Sequence, residues 1–305
     1  MILSVSRRTD IPAFYSEWFM NRIKKGYVLV RNPMNYKQIS KINISPQLIE
    51  CIVFWTKNAI PMMKYLDELE KRGYVYIFQY TITPYNNNVE KYILDKKYIL
   101  NNVKILSNLI GKNRIIWRYD PILINDEYSL EKHVYCFDRM CKALSGFVNH
   151  VVISFIDKYS KIKKANIKFL SIEDIYYISY MFGQIAKKYN ISIKTCCEKY
   201  DLAKWGISHG ACIDKDLLET VLGYSLNIKK ATGQRPYCLC SESIDIGSYN
   251  TCRNGCIYCY ATNETMMKNK IEFYDKNGEM LCDTVTSKDI IKERYIKILR
   301  EKEEL

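Results

Sequence analysis

The chain has 305 residues, 48% of them apolar, which is enough to bury one large core or two modest ones and excludes disorder as a class. Its net charge of +13 leaves a nucleic-acid partner open, although Lys is spread along the chain beside many Ile, Asn and Tyr rather than gathered into a tract. No apolar stretch approaches the roughly 20 residues of a bilayer span, and MILSVSRRTD lacks the apolar run and cleavage site of a signal peptide, so a cytoplasmic protein with no membrane partner is expected.

Short β-branched and aromatic runs predict strands at Ile2 to Ser6, Tyr27 to Arg31, Cys51 to Thr56, Val75 to Thr81, Ile115 to Tyr119, His150 to Phe155, Ile191 to Thr195 and Ser243 to Ser248. Between them, apolar residues recur at three- and four-residue spacing, as in Ile93, Ile99, Val103, Leu106 and Ile110, and again in Ile172, Ile175, Ile178, Met181 and Ile185. These segments sit where crossover helices are needed. The pattern fits an α/β fold of the (β/α)8 TIM-type barrel, with an open doubly wound sheet as the alternative. With no repeat and no Pro- or Gly-rich boundary, residues 1–262 read as one barrel that includes a cysteine loop. Residues 263–305 read as an extension packed on it, with a charged helix near Ser287 to Glu304.

Polar residues follow the predicted strands, where a barrel builds its sites. They are Arg7, Arg8, Thr9 and Asp10 after the first, Trp55, Thr56, Lys57 and Asn58 after the third, Arg118, Tyr119, Asp120 and Pro121 after the fifth, and Glu198 and Asp201 after the seventh. Each alone fits a strand-end ion pair or a helix cap equally well, and their shared placement carries the functional reading. Arg118, Asp120 and Lys57 are the candidates for substrate handling. Trp55 and Trp117 fit ring stacking or plain core packing.

Twelve cysteines in a long chain without an export signal point to thiolate ligands rather than a disulfide scaffold. Cys51, Cys136 and Cys141 are scattered among apolar residues, whereas CRNGCIYCY sets Cys252, Cys256 and Cys259 in a C-x3-C-x2-C pattern with Asn254 and Gly255 at its turn. Three soft thiolates on one loop suit one face of a [4Fe-4S] cluster and leave its fourth iron open. Structural zinc is the alternative, but a closed zinc site takes four ligands, usually from paired C-x2-C knuckles. Cys196, Cys197, Cys212, Cys238 and Cys240 offer a second set, suited to another [4Fe-4S] cluster or to zinc. His209 lies nearby and, alone, reads more readily as an ordinary hydrogen-bonding residue.

The spaced cysteines, with an aromatic residue before the last, resemble the motif of the radical SAM superfamily. SIDIGSYNTCRNGCIYCYA is similar to the cluster loop of its spore photoproduct lyase-like branch. The chain as a whole resembles the DUF1848 family through SVSRRTDIPAFYSEWF, FWTKN, WRYDPI and ISIKTCCEKYDL. The resemblance implies an enzyme that reductively cleaves S-adenosylmethionine and abstracts hydrogen from an unidentified substrate, fed by a donor such as ferredoxin or flavodoxin. In the superfamily the motif follows the first strand, but here it follows the last predicted one, so a circularly permuted barrel is implied. Ser243 to Ser248 would then be the first strand and Ile2 to Ser6 the second. On that reading Asp10 accepts from the ammonium of S-adenosylmethionine, and Arg7 or Arg8 pairs with its carboxylate. The family's TC-x-E pattern selects Cys196 to join Cys212, Cys238 and Cys240. An iron–sulfur electron-transfer or sensor protein without S-adenosylmethionine, and a nucleic-acid repair protein, are the competing functions.

Overall fold

A computed structural model describes residues 1–157 and 166–301. Its strands, in chain order, are β1 (Ile2–Val5), β2 (Tyr27–Arg31), β3 (Gln38–Asn43), β4 (Cys51–Thr56), β5 (Tyr76–Thr81), β6 (Ile115–Ile122), β7 (His150–Phe155), β8 (Ser192–Cys196), β9 (Ile207–Gly210), β10 (Ile244–Asp245) and β11 (Ile290–Glu293). Eight of them form one sheet in the order β10-β1-β4-β5-β6-β7-β8-β9, and every neighbouring pair is parallel. From β1 to β9 the sheet grows in a single direction. Right-handed crossovers between strands added in one direction put their helices on one face, which leaves the other face to be covered by something else.

Strand alternation matches that division. Leu3, Val5, Ile52, Phe54, Tyr76, Phe78, Trp117, Tyr119, Val151 and Ile153 pack into the large core under the helices. Ile2, Cys51, Val53, Ile77, Ile116 and Val152 point the other way and share a second core with Leu218, Leu226 and Leu299. The main helices begin on side-chain caps, as the exposed N–H groups of a first turn require. Asp95 caps Lys96–Ile110, Ser129 caps Leu130–Leu144, and Ser171 with Asp174 forms a capping box on Ile172–Lys188. Among the described residues no helix is long and apolar enough to cross a membrane.

Two sequence expectations are corrected. Tyr27 to Arg31 is a strand, but it pairs antiparallel with β3 in a separate sheet ordered β11-β3-β2. Composition marks it as a strand without selecting its partner, and the nearby β3 supplies a hairpin. The eighth place in the main sheet goes to β9, whose sequence ISHG is too short and polar to read as a strand. The charged helix expected near Ser287 to Glu304 is absent through residue 301, and residues 302–304 of that expectation lie outside the described residues. Instead β11 adds to β3 in parallel, as an edge strand whose charged residues face solvent.

The core beneath the helices contains one polar contact that titrates. His133 is fully buried, with Nδ1 2.8 Å from the Tyr119 hydroxyl and Nε2 2.8 Å from the Leu123 carbonyl. A carbonyl only accepts, so Nε2 carries the proton and Nδ1 accepts from Tyr119. Burial lowers the His133 pKa to about 4, with the Leu123 bond opposing. The folded state therefore binds this proton less readily than the unfolded chain does. The stability is present above the ordinary histidine value and is lost as pH falls from about 6.5 toward 4, at most roughly 3 kcal/mol. Urea titrations of wild type and His133→Gln should show a difference in midpoint that shrinks over that interval. A constant difference would count against it.

Candidate functional site

The segment from β10 to the cysteines is fastened at four places. Asp245, at the end of β10, accepts from Ser4 Oγ at 2.7 Å, Ser6 Oγ at 2.6 Å, Arg7 N at 2.8 Å and Gly247 N at 3.0 Å, which locks β10 to the end of β1. The Tyr15 hydroxyl donates to Thr251 O at 2.6 Å. Asn254 Nδ2 donates to Asp10 Oδ2 at 3.0 Å. Finally, the loop lies along residues 89–92, with Cys256 bridged to Glu90, Ile257 N donating to Val89 O at 3.0 Å and Tyr92 N to Asn254 O at 3.2 Å. Gly255 sits in the middle of this contact at φ +68°, and a Cβ there would stand 2.7 Å from Tyr92 Cδ2.

Cys252, Cys256 and Cys259 are half-buried, and none forms a disulfide. Burial pushes the Cys256 thiol up to about 12, and the nearby Lys57 ammonium pulls it back. Cys252 is raised further by burial and by the Asp10 charge. Thiols of this kind are poor nucleophiles, and a bound soft cation would replace their protons. Among the described residues no three His, Cys, Asp or Glu side chains are grouped so as to hold one metal ion. A cubane makes a different demand, because each thiolate binds a different iron and the ligands stand farther apart than those of a single ion. The all-sulfur donor set on a short, pinned loop fits such a cluster.

Two buried carboxylates position the loop. Asp10 Oδ1 accepts from Ala13 N at 3.0 Å and Thr56 Oγ1 at 2.7 Å, and Oδ2 accepts from Lys57 N at 2.8 Å in addition to Asn254. Burial raises its pKa above the ordinary carboxylate value, and these four bonds only oppose the rise. Glu90, fully buried, takes Lys57 Nζ and Lys96 Nζ at 2.7 Å each, Thr83 Oγ1 at 2.6 Å and the Tyr258 hydroxyl. Burial alone would push Glu90 upward, but the two ammonium groups hold it down at about 2. Neither carboxylate stood out as a loop anchor in the sequence.

The remaining candidates gather on the face of the sheet away from the helices. Arg118 Nη1 reaches Gln79 Oε1 and Cys212 Sγ, both at 3.2 Å, while its Nε donates to Asp120 at 3.1 Å. Asp120 also accepts from Ser154. Trp55 lies between two guanidinium groups, with Arg7 at 5.8 Å and Arg118 at 5.4 Å from its ring, and its Nε1 donates to Ser4 Oγ at 3.0 Å. Arg7 also bonds Ser243 Oγ, and Arg8 bonds Gly247 O and lies over Tyr249. Trp117 is core: it is fully buried and stacked on Phe137. The structure thus joins Asp10, Lys57 and the Cys256 loop in one group, and Arg118, Asp120 and Cys212 in another, with Arg7 and Trp55 between them. His209 is exposed and 3.5 Å from Thr195 Oγ1.

A family model described as a domain of unknown function (DUF1848) matches residues 2–261. The chain belongs to the DUF1848 family. The match spans the main sheet and the complete cysteine loop of this DUF1848 chain. No curated protein matches it. Among solved structures, a candidate alpha-L-fucosidase from Bacteroides thetaiotaomicron VPI-5482 is similar at 12% identity and a TM-score of 0.22, over 59% of this chain and 73% of the other. Overlap at that level says nothing about fold or activity.

Gly255 gives the loop geometry a direct check. Gly255→Ala should destabilise the protein by about 1–2 kcal/mol from the left-handed backbone alone, with the Tyr92 clash adding to it. Chemical denaturation of the variant reads this directly, and an unchanged midpoint would contradict the loop packing.

Proposed function

We propose that the chain is an iron–sulfur enzyme of the radical SAM kind, acting on a substrate not yet identified. The observation that carries the reading is the cysteine loop itself, three cysteines spaced C-x3-C-x2-C, outside any disulfide and pinned at the end of a strand that runs beside β1. That strand pairing is what a circular permutation of the superfamily's barrel requires, with β10 as its first strand and β1 as its second. The single direction of growth from β1 to β9 favours a sheet that curls into a barrel, with the second core as its interior.

A reduced [4Fe-4S] cluster held by these cysteines would supply one electron to the sulfonium of S-adenosylmethionine, whose C5′–S bond would break to give methionine and a 5′-deoxyadenosyl radical. A one-electron donor of the ferredoxin or flavodoxin type completes the reaction. Cys252, Cys256 and Cys259 are the ligands in this reading. Lys57 places a buried positive charge beside Cys256, which favours the thiolate form. Arg7 and Arg8, half-exposed at the end of β1, are the residues proposed for the carboxylate of S-adenosylmethionine. Asp10 is proposed as a positioning residue, because an ionised carboxylate has about four acceptor sites and hydrogen bonds from the protein use them. Lys57 and Arg118 are likewise committed to ion pairs with Glu90 and Asp120, so their effect on substrate is through charge and placement.

The engagement of Asp10 also favours a second reading, an iron–sulfur electron-transfer or sensor protein that does not use S-adenosylmethionine. One experiment separates the two. Anaerobically reconstituted protein, given dithionite and S-adenosylmethionine, should release 5′-deoxyadenosine, and Cys256→Ser should bring release down to background. An intact cluster that forms no 5′-deoxyadenosine would overturn the first reading in favour of the second.

A further inference from the structure

The second cysteine set, of which Cys212 meets Arg118, has no role in the reaction just proposed, yet the fold assembles it. Cys196 ends β8, Cys212 follows β9, and Cys238 and Cys240 lie on the segment that leads to β10. All four enter the second core, at 8%, 6%, 8% and 3% exposure. Cys196 Sγ and Cys212 Sγ are 2.7 Å apart, and Cys212 N donates to Cys240 Sγ at 3.3 Å. Backbone bonds from Ser241 N to Ile213 O at 2.9 Å and from Ala231 N to Cys240 O at 2.8 Å hold the C-x-C segment against the strand ends. Gly210, opposite Cys196, permits this approach: a Cβ there would meet Lys194 Cβ at 2.7 Å and Thr195 O at 3.0 Å.

Cysteines are common in apolar cores, so burial alone identifies nothing. The neighbour that changes the reading is Arg118. Its guanidinium is only 5% exposed and points one N–H at Cys212 Sγ, at 3.2 Å. A buried cation needs anionic or strongly accepting partners; Asp120 is one, and a thiolate is a second where a neutral thiol is a weak acceptor. Gln79 extends the contact, accepting from Arg118 through Oε1 and donating from Nε2 to Cys212 O at 2.6 Å.

We propose that Cys196, Cys212, Cys238 and Cys240 hold a second iron–sulfur cluster, with Arg118 as its buried charge partner. Four thiolates close the coordination, so this cluster keeps no open iron and suits electron transfer rather than substrate binding. Four thiolates would also close a zinc site, and the metal analysis below separates the two. Rotation about the Cα–Cβ bonds of Cys196 and Cys212 separates the two sulfurs without moving the strands. Cys197, half-buried on a left-handed backbone at φ 59°, packs against the same core and is left out of the proposed set. The inference does not depend on S-adenosylmethionine, and the two thiol sets fail independently.

Metal analysis of anaerobically purified wild type should give about eight iron and eight sulfide per chain, as two cubanes require. Replacing Cys252, Cys256 and Cys259 together with Ser should leave about four of each, together with visible charge-transfer absorption. Cys196→Ser with Cys212→Ser should also halve the iron while leaving the loop cluster. If those variants do not fold, alkylation of native wild type answers the same question: Cys196, Cys212, Cys238 and Cys240 should be protected until the clusters are destroyed by chelation under oxidising conditions. Arg118→Gln should lower the reduction potential of the second cluster, since it removes the cation that favours the reduced state. Stoichiometric zinc at these four cysteines, a Cys196–Cys212 disulfide in the native protein, or free alkylation of all four would each overturn the proposal.

Discussion

One buried carboxylate ties three separate parts of the candidate site to one another. Asp10 draws donors from its own helix start at Ala13, from the end of β4 at Thr56 and Lys57, and from Asn254, 244 positions away in the sequence. Hydrogen bonds to a charged group contribute about 1.5–3 kcal/mol each, and removing the acceptor also leaves buried donors without partners. The cysteine loop has no regular secondary structure, so its position depends on this tie, on the bridge to Glu90 and on the Tyr15 hydroxyl. Asp245 does the same for the ends of β10 and β1, accepting from two serine hydroxyls and two backbone amides.

Charge follows from this arrangement. The face of the sheet away from the helices would be an ordinary apolar core if Ile2, Val53, Ile77 and Ile116 continued to the strand ends. Instead the next inward positions carry Ser4, Trp55, Gln79 and Arg118, and these bond to one another or to the thiol set. Glu90 and its two lysines form the matching network under the cysteine loop, where an unpaired charge would be costly. Both thiol sets therefore have a buried cation nearby, Lys57 for one and Arg118 for the other.

Much of this was legible in the sequence, and the rest was hidden for identifiable reasons. Cys51 to Thr56 was found with its observed bounds because a continuous apolar run leaves little choice of structure. Tyr27 to Arg31 had the same signal, but which sheet a strand joins depends on long-range pairing. Ser208, His209 and Gly210 hid β9, since its polar residues break the pattern. Spacing identified the cysteine loop, and counting gave five further candidate thiols from which the family resemblance selected four, but the Arg118 contact to Cys212 required the inward alternation of β6 and the approach of the chain beyond β9. Glu90, in the polar run NNNVEKY, gave no local sign of full burial; only the fold brings Lys57, Lys96 and Tyr258 to it.

Amide hydrogen exchange on Asp10→Ala, compared with wild type, tests the central tie most directly. The account predicts faster exchange in three separate stretches at once, around Ala13, around Lys57 and Asn58, and across residues 251–257. Faster exchange confined to the neighbourhood of residue 10, with the cysteine loop as protected as in wild type, would contradict it.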